Sequence, residues 1–251
     1  MNYKLIGATA VRVLAQLRRD PRSIAMILVL PALLLTAVYF LFENEKLPPG
    51  APRSFDRIGL IMLAVFPFVV MFLVTSITML RERTSGTLER LMTTPIHKAD
   101  LVLGYAVAFS VMAALQSVVA TGIAYWCFGL NVAGSAGLVV LLAVLNAILG
   151  VSLGLLCSAF ARTEFQAVQF MPLVVIPQLL LCGLFVARDQ MNEVLQGLAR
   201  VMPLSYSVEA LGEVARHSSM TDLLWADLLI LAAIVVAMLL LSSLTLQRKR
   251  S

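Results

Sequence analysis

The chain has 251 residues, 60% hydrophobic and 13% charged, with a formal net charge of +5. That charged share is about half the average for a soluble domain. A mean hydropathy of +0.93 is more apolar surface than a soluble fold of this size can hide, and it also excludes disorder. The class indicated is an all-α integral membrane protein.

In chain order, residues 3–20 read as an amphipathic helix. Ile6, Ala10, Val13, Leu14 and Leu17 share one face, and Arg12, Gln16 and Arg19 share another. Residues 1–22 are therefore expected to form an interfacial helix along the inner leaflet, with its cations toward anionic headgroups. Asp20-Pro21 ends it, because proline cannot continue the hydrogen-bond ladder.

Five stretches without Asp, Glu, Lys or Arg follow: 23–42, 58–80, 101–161, 165–187 and 228–247. Crossing the hydrocarbon core takes about 20 apolar residues. The third stretch is long enough for two crossings and is interrupted by the turn-rich Gly129–Gly137. Six transmembrane helices are expected, at about 23–42, 58–80, 102–127, 138–161, 165–187 and 228–247. The strands of an outer-membrane barrel would alternate over about 10 residues, a pattern not seen here. The first stretch is not a secretory signal, since it has full span length and ENEKLPPG after it offers no A-x-A site.

The connections differ in character. Residues 43–57, with Pro48-Pro49-Gly50, make a short outer loop, and 162–164 a tight cytosolic turn. Residues 81–100 form the largest cytosolic loop. Residues 188–222 have helical patterning on both sides of Pro203 and suggest one or two short helices on, or dipping into, the outer leaflet. Residues 247–251 are a basic stop. Pro31, Pro67, Pro172 and Pro177 predict kinks within spans. Gly150, Gly154 and Ser158 recur every four residues, a stripe that lets another helix approach closely.

An even span count puts both termini on one side. Thirteen of the nineteen Lys and Arg residues then fall on that side, which the positive-inside rule makes cytosolic. The basic pI of 9.4 is thus a topology signal and not a sign of nucleic-acid binding. Tyr39, Tyr125, Trp126 and Trp225 fall at the outer ends of spans, where amphipathic rings favour the interface.

Catalytic and metal chemistry is missing from the pattern. No lysine sits in a P-loop, so no ATP site is expected on this chain. His97 and His217 lie in loops on opposite sides, where they cannot share a metal. Cys127, Cys157 and Cys182 are odd in number and lack CxxC spacing. Gly150-Val151-Ser152-Leu153-Gly154 fits GxSxG, but a nucleophile elbow needs a strand-to-helix turn and a nearby base. No charged residue lies deep in a predicted span, which argues against an ion-coupled carrier.

The most informative segment is RERTSGTLERLMTTPIHKADLVLG, residues 81–104. Gly86 can start a helix, and Glu89 follows three residues on, where the helix dipole favours an acid. Leu88, Leu91 and Met92 make a small apolar face, and Pro95 ends the element. The expectation is a short cytosolic helix with an exposed apolar knob flanked by Glu82, Arg83, Glu89 and Arg90, suited to a groove on a soluble protein.

Here the chain resembles the ABC type-2 exporter permeases, the membrane subunits of drug, lipid and polysaccharide exporters that include daunorubicin-resistance and nodulation types. The resemblance is carried by Glu82-x-x-x-Gly86-Thr87-Leu88-Glu89-x-Leu91-x-x-Thr94-Pro95 followed by Gly104. Pro203-Leu204-Ser205-Tyr206-Ser207-Val208-Glu209-Ala210 is similar to the family's outer segment before the last span. Arg162-Thr163-Glu164 and Gly183 also fit. Two departures are Cys182-Gly183 in place of Ser-Gly, and Ala187-Arg188 near the position of an expected Pro.

The resemblance covers the whole chain as one transmembrane domain and implies a mechanism. Two permease subunits, alike or different, would pair with two cytosolic ABC ATPase subunits. ATP and Mg would bind on those partners and no cofactor on this chain. Glu82, Gly86, Thr87, Leu88, Glu89, Arg90, Leu91 and Pro95 would form the ATPase-coupling element. The second and fifth spans would line a path offering Phe66, Phe68, Met71, Phe72, Gln166, Gln169 and Phe170. Such a path suits hydrophobic or amphipathic cargo. Pro203, Tyr206 and Glu209 would belong to the outer gate. The setting would be a bacterial inner or plasma membrane. A passive channel or secondary carrier, and a non-transporting anchor for an ATPase, remain alternatives to an exporter at this point.

Overall fold

The computed structural model describes residues 2–46, 53–93 and 97–245. Ten α-helices account for its elements, with one 3-10 turn: α1 (Tyr3–Arg18), α2 (Pro21–Phe42), α3 (Ser54–Thr84), α4 (Thr87–Met92), α5 (Lys98–Trp126), α6 (Ala136–Cys157), α7 (Glu164–Leu181), the turn Arg188–Gln190, α8 (Glu193–Ala199), α9 (Pro203–Arg216) and α10 (Asp222–Thr245). Six of them, α2, α3, α5, α6, α7 and α10, are long and apolar enough to cross a membrane.

Burial sorts the six into two groups. In the most apolar stretch of α3, 72% of residues are buried, against 17% in each of α2, α7 and α10. The centre of the bundle is therefore α3 with α5 and α6, and the other three spans lie around it. Their outer surfaces, with Leu33, Leu173, Leu229 and Leu244 exposed, suit acyl chains.

The α3–α6 seam is set by the four-residue repeat. A Cβ at Gly150 would run into the Phe68 carbonyl, and one at Gly154 would lie 2.6 Å from the Phe72 carbonyl oxygen. Only glycine allows the two backbones to approach this closely. Ser158, the third member, is also buried and donates its hydroxyl to the Leu155 carbonyl at 2.6 Å.

α1 corrects an expectation. Ala10, Val13 and Leu17 are buried, and the helix packs on α5, where a Cβ at Gly104 would lie 2.5 Å from Thr9 Cβ. The apolar face covers protein, while Tyr3 and Val11 of the same helix are exposed. Arg12 likewise turns inward, to Glu82 and Tyr105, and does not face headgroups. Asp20 then caps α2. Its carboxylate accepts the Ser23 hydroxyl at 2.7 Å and the Ser23 amide at 3.3 Å, and Pro21 takes the first helical position. Those hydrogen bonds, the hydroxyl's first, hold the Asp20 carboxyl below its ordinary range.

Span bounds move where charges or glycine intervene. α3 extends past its uncharged stretch at both ends, so Glu82 is a buried residue of the helix. α7 stops at Leu181, short of the expected 187, because Gly183 takes φ 93°, a left-handed conformation that ends a helix. The four prolines lie inside α2, α3 and α7.

Candidate functional site

Both faces of the bundle carry ordered polar structure. On the basic face, where α1 meets α5 and the end of α3, α3 runs to Thr84 and the chain turns at Ser85-Gly86. Gly86 has φ 73°, a region L side chains avoid, and α4 follows at once. A helix of six residues cannot hold itself in water, so its stability must come from packing.

That packing reverses the expected exposure. Leu88 is 4% exposed and belongs to the buried cluster containing Met79, Leu101 and Val102, with Leu91 packed against it. Leu88 and Leu91 face the bundle and anchor α4, while the Met92 side chain lies outside the described residues. Arg90 and Thr93 are exposed, while Gly86 and Thr87 are half-buried. Glu89 contributes its backbone to α4. Pro95 lies outside the described residues.

Behind α4 is a polar junction. Arg12 Nη1 stands 3.5 Å from Glu82 Oε1, and Arg12 Nη2 donates to the Tyr105 hydroxyl. This ties α1, α3 and α5 together. Glu82 is 8% exposed, and its Oε2 has no hydrogen-bond partner among the described residues. Next to it, Arg81 makes a bidentate pair with Glu164 at 2.7 and 2.9 Å, joining α3 to the start of α7. A cavity of about 300 Å³ lies at the junction, lined by Gln16, Asp20, Glu82, Ser85 and Thr87 among others.

On the opposite face, α9 is set into the bundle. The Leu204 amide donates to Gln178 Oε1 at 3.3 Å, and the Ser205 hydroxyl donates to the Leu181 carbonyl at 3.3 Å. Ser207 hydrogen-bonds Asn146 Oδ1. Asn146 lies ten residues into α6, about 15 Å down at 1.5 Å per residue. α9 thus dips well below the end of the bundle.

Pro203, Tyr206 and Glu209 all lie on α9. Tyr206 donates its hydroxyl to the Arg200 carbonyl at 2.6 Å. Arg188 pairs with Glu209, and its guanidinium carbon sits 5.5 Å from the Tyr206 ring centroid. Arg188 is a functional candidate that the sequence reading missed. Its signals were its position, as the charge that ends the 165–187 stretch, and its place at the departure Ala187-Arg188. A cavity of about 890 Å³ opens beside this pair.

The expected path residues do not come together on one surface. Phe68, Met71 and Phe72 are wholly buried inside the chain, with Phe170 packed against the Phe68–Phe72 cluster. Phe66 is half-buried. Gln169 is exposed, and Gln166 accepts the Arg162 amide at 2.8 Å across the 162–164 turn. Polar groups that a search for charges overlooked lie deeper. Gln116, Ser117 and Thr121 of α5 are buried, and neither polar atom of the Gln116 amide has a partner among the described residues. Ser152 of the GxSxG stretch donates to the Leu149 carbonyl at 2.9 Å within α6. Among the described residues, no group of three His, Cys, Asp or Glu side chains is placed to hold a metal.

A family profile described as "ABC-2 type transporter" matches residues 4–214. Among curated relatives, the probable multidrug ABC transporter permease YbhR of Escherichia coli (strain K12) is 27% identical over 167 residues, 66% of this chain and 45% of the relative. The linearmycin resistance permease protein LnrN of Bacillus subtilis (strain 168) is 29% identical over 148 residues, 59% of this chain and 38% of the relative. ABC transporter G family member 20 of Dictyostelium discoideum is 26% identical over 167 residues, 66% of this chain and 23% of the relative. The matched part is less than half the length of each of these relatives.

Proposed function

The chain belongs to the ABC-2 type transporter family, and from that membership we propose that it is the membrane-spanning half of an ATP-driven exporter. ATP and Mg would be held by separate cytosolic ABC ATPase subunits, and a second permease copy or paralogue would complete the pathway. In this reading the basic face is cytosolic, both termini lie inside, and the setting is a bacterial inner or plasma membrane.

The observation that carries the reading is the attachment of α4. It follows α3 through the two-residue turn Ser85-Gly86 and is pinned by Leu88, so a push on its exposed side, Arg90 and Thr93, would reach α3 with little slack. Glu82 and Arg12 would spread that push to α1 and α5. Phe66, Gln169 and Phe170 would meet cargo where two copies face each other. Phe68, Met71 and Phe72 would support that surface from within. Tyr206 and Glu209, braced by Arg188, would hold the outer end shut until the spans rock. The relatives' names, a probable multidrug permease and a linearmycin resistance permease, support a drug as cargo.

The test is co-expression with the product of the adjacent reading frame, expected to be a P-loop ATPase, followed by affinity purification and uptake into inside-out vesicles. The expected result is a stable complex whose uptake needs ATP and stops when the ATPase is inactivated. Solute movement by the isolated chain without nucleotide would overturn the reading in favour of a passive channel or secondary carrier. An ATPase complex that moves no cargo would leave only an anchoring role.

A further inference from the structure

The cavity of about 890 Å³ lies between the start of α3, the 129–131 turn, residues 183–189 and α9. That volume is in the range of a drug-sized ligand site. Leu60, Ile61 and Val208 give it apolar wall. Four arginines, Arg53, Arg57, Arg188 and Arg216, and three acids, Asp56, Asp189 and Glu209, also line it.

Most of these charges are already committed. Arg53 is held by Asp56 at 2.8 Å and by the Gly129 carbonyl. Arg188 is held by Glu209, and Arg216 by Glu213 at 2.9 Å. Two side chains are left over. Arg57 and Asp189 make no ion pair among the described residues, with each other or with any other group. The cavity therefore presents one uncommitted cation and one uncommitted anion beside apolar wall.

We propose that this cavity binds an amphiphile whose headgroup carries both a phosphate and an ammonium group. Arg57 takes the phosphate, in the bidentate geometry that guanidinium favours. Asp189 takes the ammonium, and the hydrocarbon lies on Leu60, Ile61 and Val208. A purely anionic headgroup would satisfy Arg57 but meet Asp189 as a like charge, and a purely cationic one would do the reverse. The same chemistry comes from an outer-leaflet phospholipid or from an exported amphiphile. The site does not depend on the transport reading, because binding needs no ATPase.

The test uses the purified full chain in maltoside micelles, titrated with fluorescent lysophosphatidylethanolamine and with lysophosphatidylglycerol, which keeps the phosphate and lacks the ammonium. The ethanolamine lipid is expected to bind about tenfold more tightly, the difference of one charge-assisted hydrogen bond. Asp189→Asn should abolish that preference and leave glycerol-lipid affinity equal or better. Arg57→Gln should weaken both lipids about tenfold. Both side chains are exposed and make no ion pair among the described residues, so neither change threatens folding. Equal affinity of the wild-type chain for the two lipids, or a preference that survives Asp189→Asn, would overturn the proposal. Native mass spectrometry separates the sources. An aminophospholipid retained through purification marks a leaflet lipid, and binding seen only on titration marks a ligand arriving from solution or from the pathway. Preferential retention of a lipid without an amine would also overturn it.

Discussion

Arg12 of α1 and Glu82 of α3 stand 3.5 Å apart where the N-terminal helix meets the end of the most buried span. Removing the cation strands a carboxylate that is only 8% exposed. Breaking a fully buried pair costs about 3–5 kcal/mol. Arg12 keeps 29% of its side chain exposed, so water offsets part of the loss and Arg12→Met should cost about 1–2 kcal/mol. A chain this size loses about 2–4 °C of Tm per kcal/mol. The Arg12→Met, Glu82→Gln double variant should recover most of the drop in a detergent melting assay. Additive losses would show that the two side chains do not interact.

The α3–α6 seam predicts a contrast between glycines. Gly150→Ala drives a methyl group into the Phe68 carbonyl, which only a backbone shift can relieve, and should cost about 1–3 kcal/mol by overpacking. Gly7→Ala meets nothing within 4 Å on an exposed position of α1 and should raise the melting temperature, since alanine gains up to about 1 kcal/mol in a helix. Equal effects of the two changes would mean the seam is looser than drawn.

Leu88 and Arg90 separate anchoring from docking on α4. Leu88→Ala empties a buried site and should free the six-residue helix from the bundle. Its expected signature is faster proteolysis or hydrogen exchange across residues 85–93, with reduced coupling. Arg90→Glu alters an exposed charge, so it should leave exchange unchanged and weaken ATPase co-purification severalfold. Normal ATPase association with Arg90→Glu would remove this side of α4 from the interface.

The two classes of residue differ in how far the sequence could reach them. The six spans were legible because each is a long run without charge, and the hydrocarbon core imposes that pattern directly. The glycine stripe of α6 was legible as a close approach, though not its partner α3. Periodicity gave Leu88 and Arg12 a helix face but not what the face meets, so Leu88 read as exposed and Arg12 as lipid-facing. Arg188 read as the end of an apolar run and as a departure from the family pattern but not as a brace, because its partner Glu209 is 21 residues away and meets it only once α9 has folded back. The buried amide of Gln116 carries no charge, so a search for charge-free stretches passes over it.

Arg188 also sets a prediction for the end of the bundle opposite α4. It joins the loop after α7 to α9, by its ion pair with Glu209 and by its position over Tyr206. Cys182, 1% exposed, lines the cavity just beneath and reports on whether that loop is held down. Cys127 is exposed on the same face and would mask the signal, so the measurement needs a Cys127→Ser background. Arg188→Ala should then speed labelling of Cys182 by a membrane-impermeant maleimide about tenfold, the effect of losing about 1.4 kcal/mol of closing energy. Glu209→Gln should give a smaller rise, because the cation remains over the Tyr206 ring. Tyr206→Phe, which loses only the bond to the Arg200 carbonyl, should give the smallest. If Arg188→Ala left Cys182 as slow to react as before, the loop would be held by packing of its backbone against α9, and the ion pair would have no gating role.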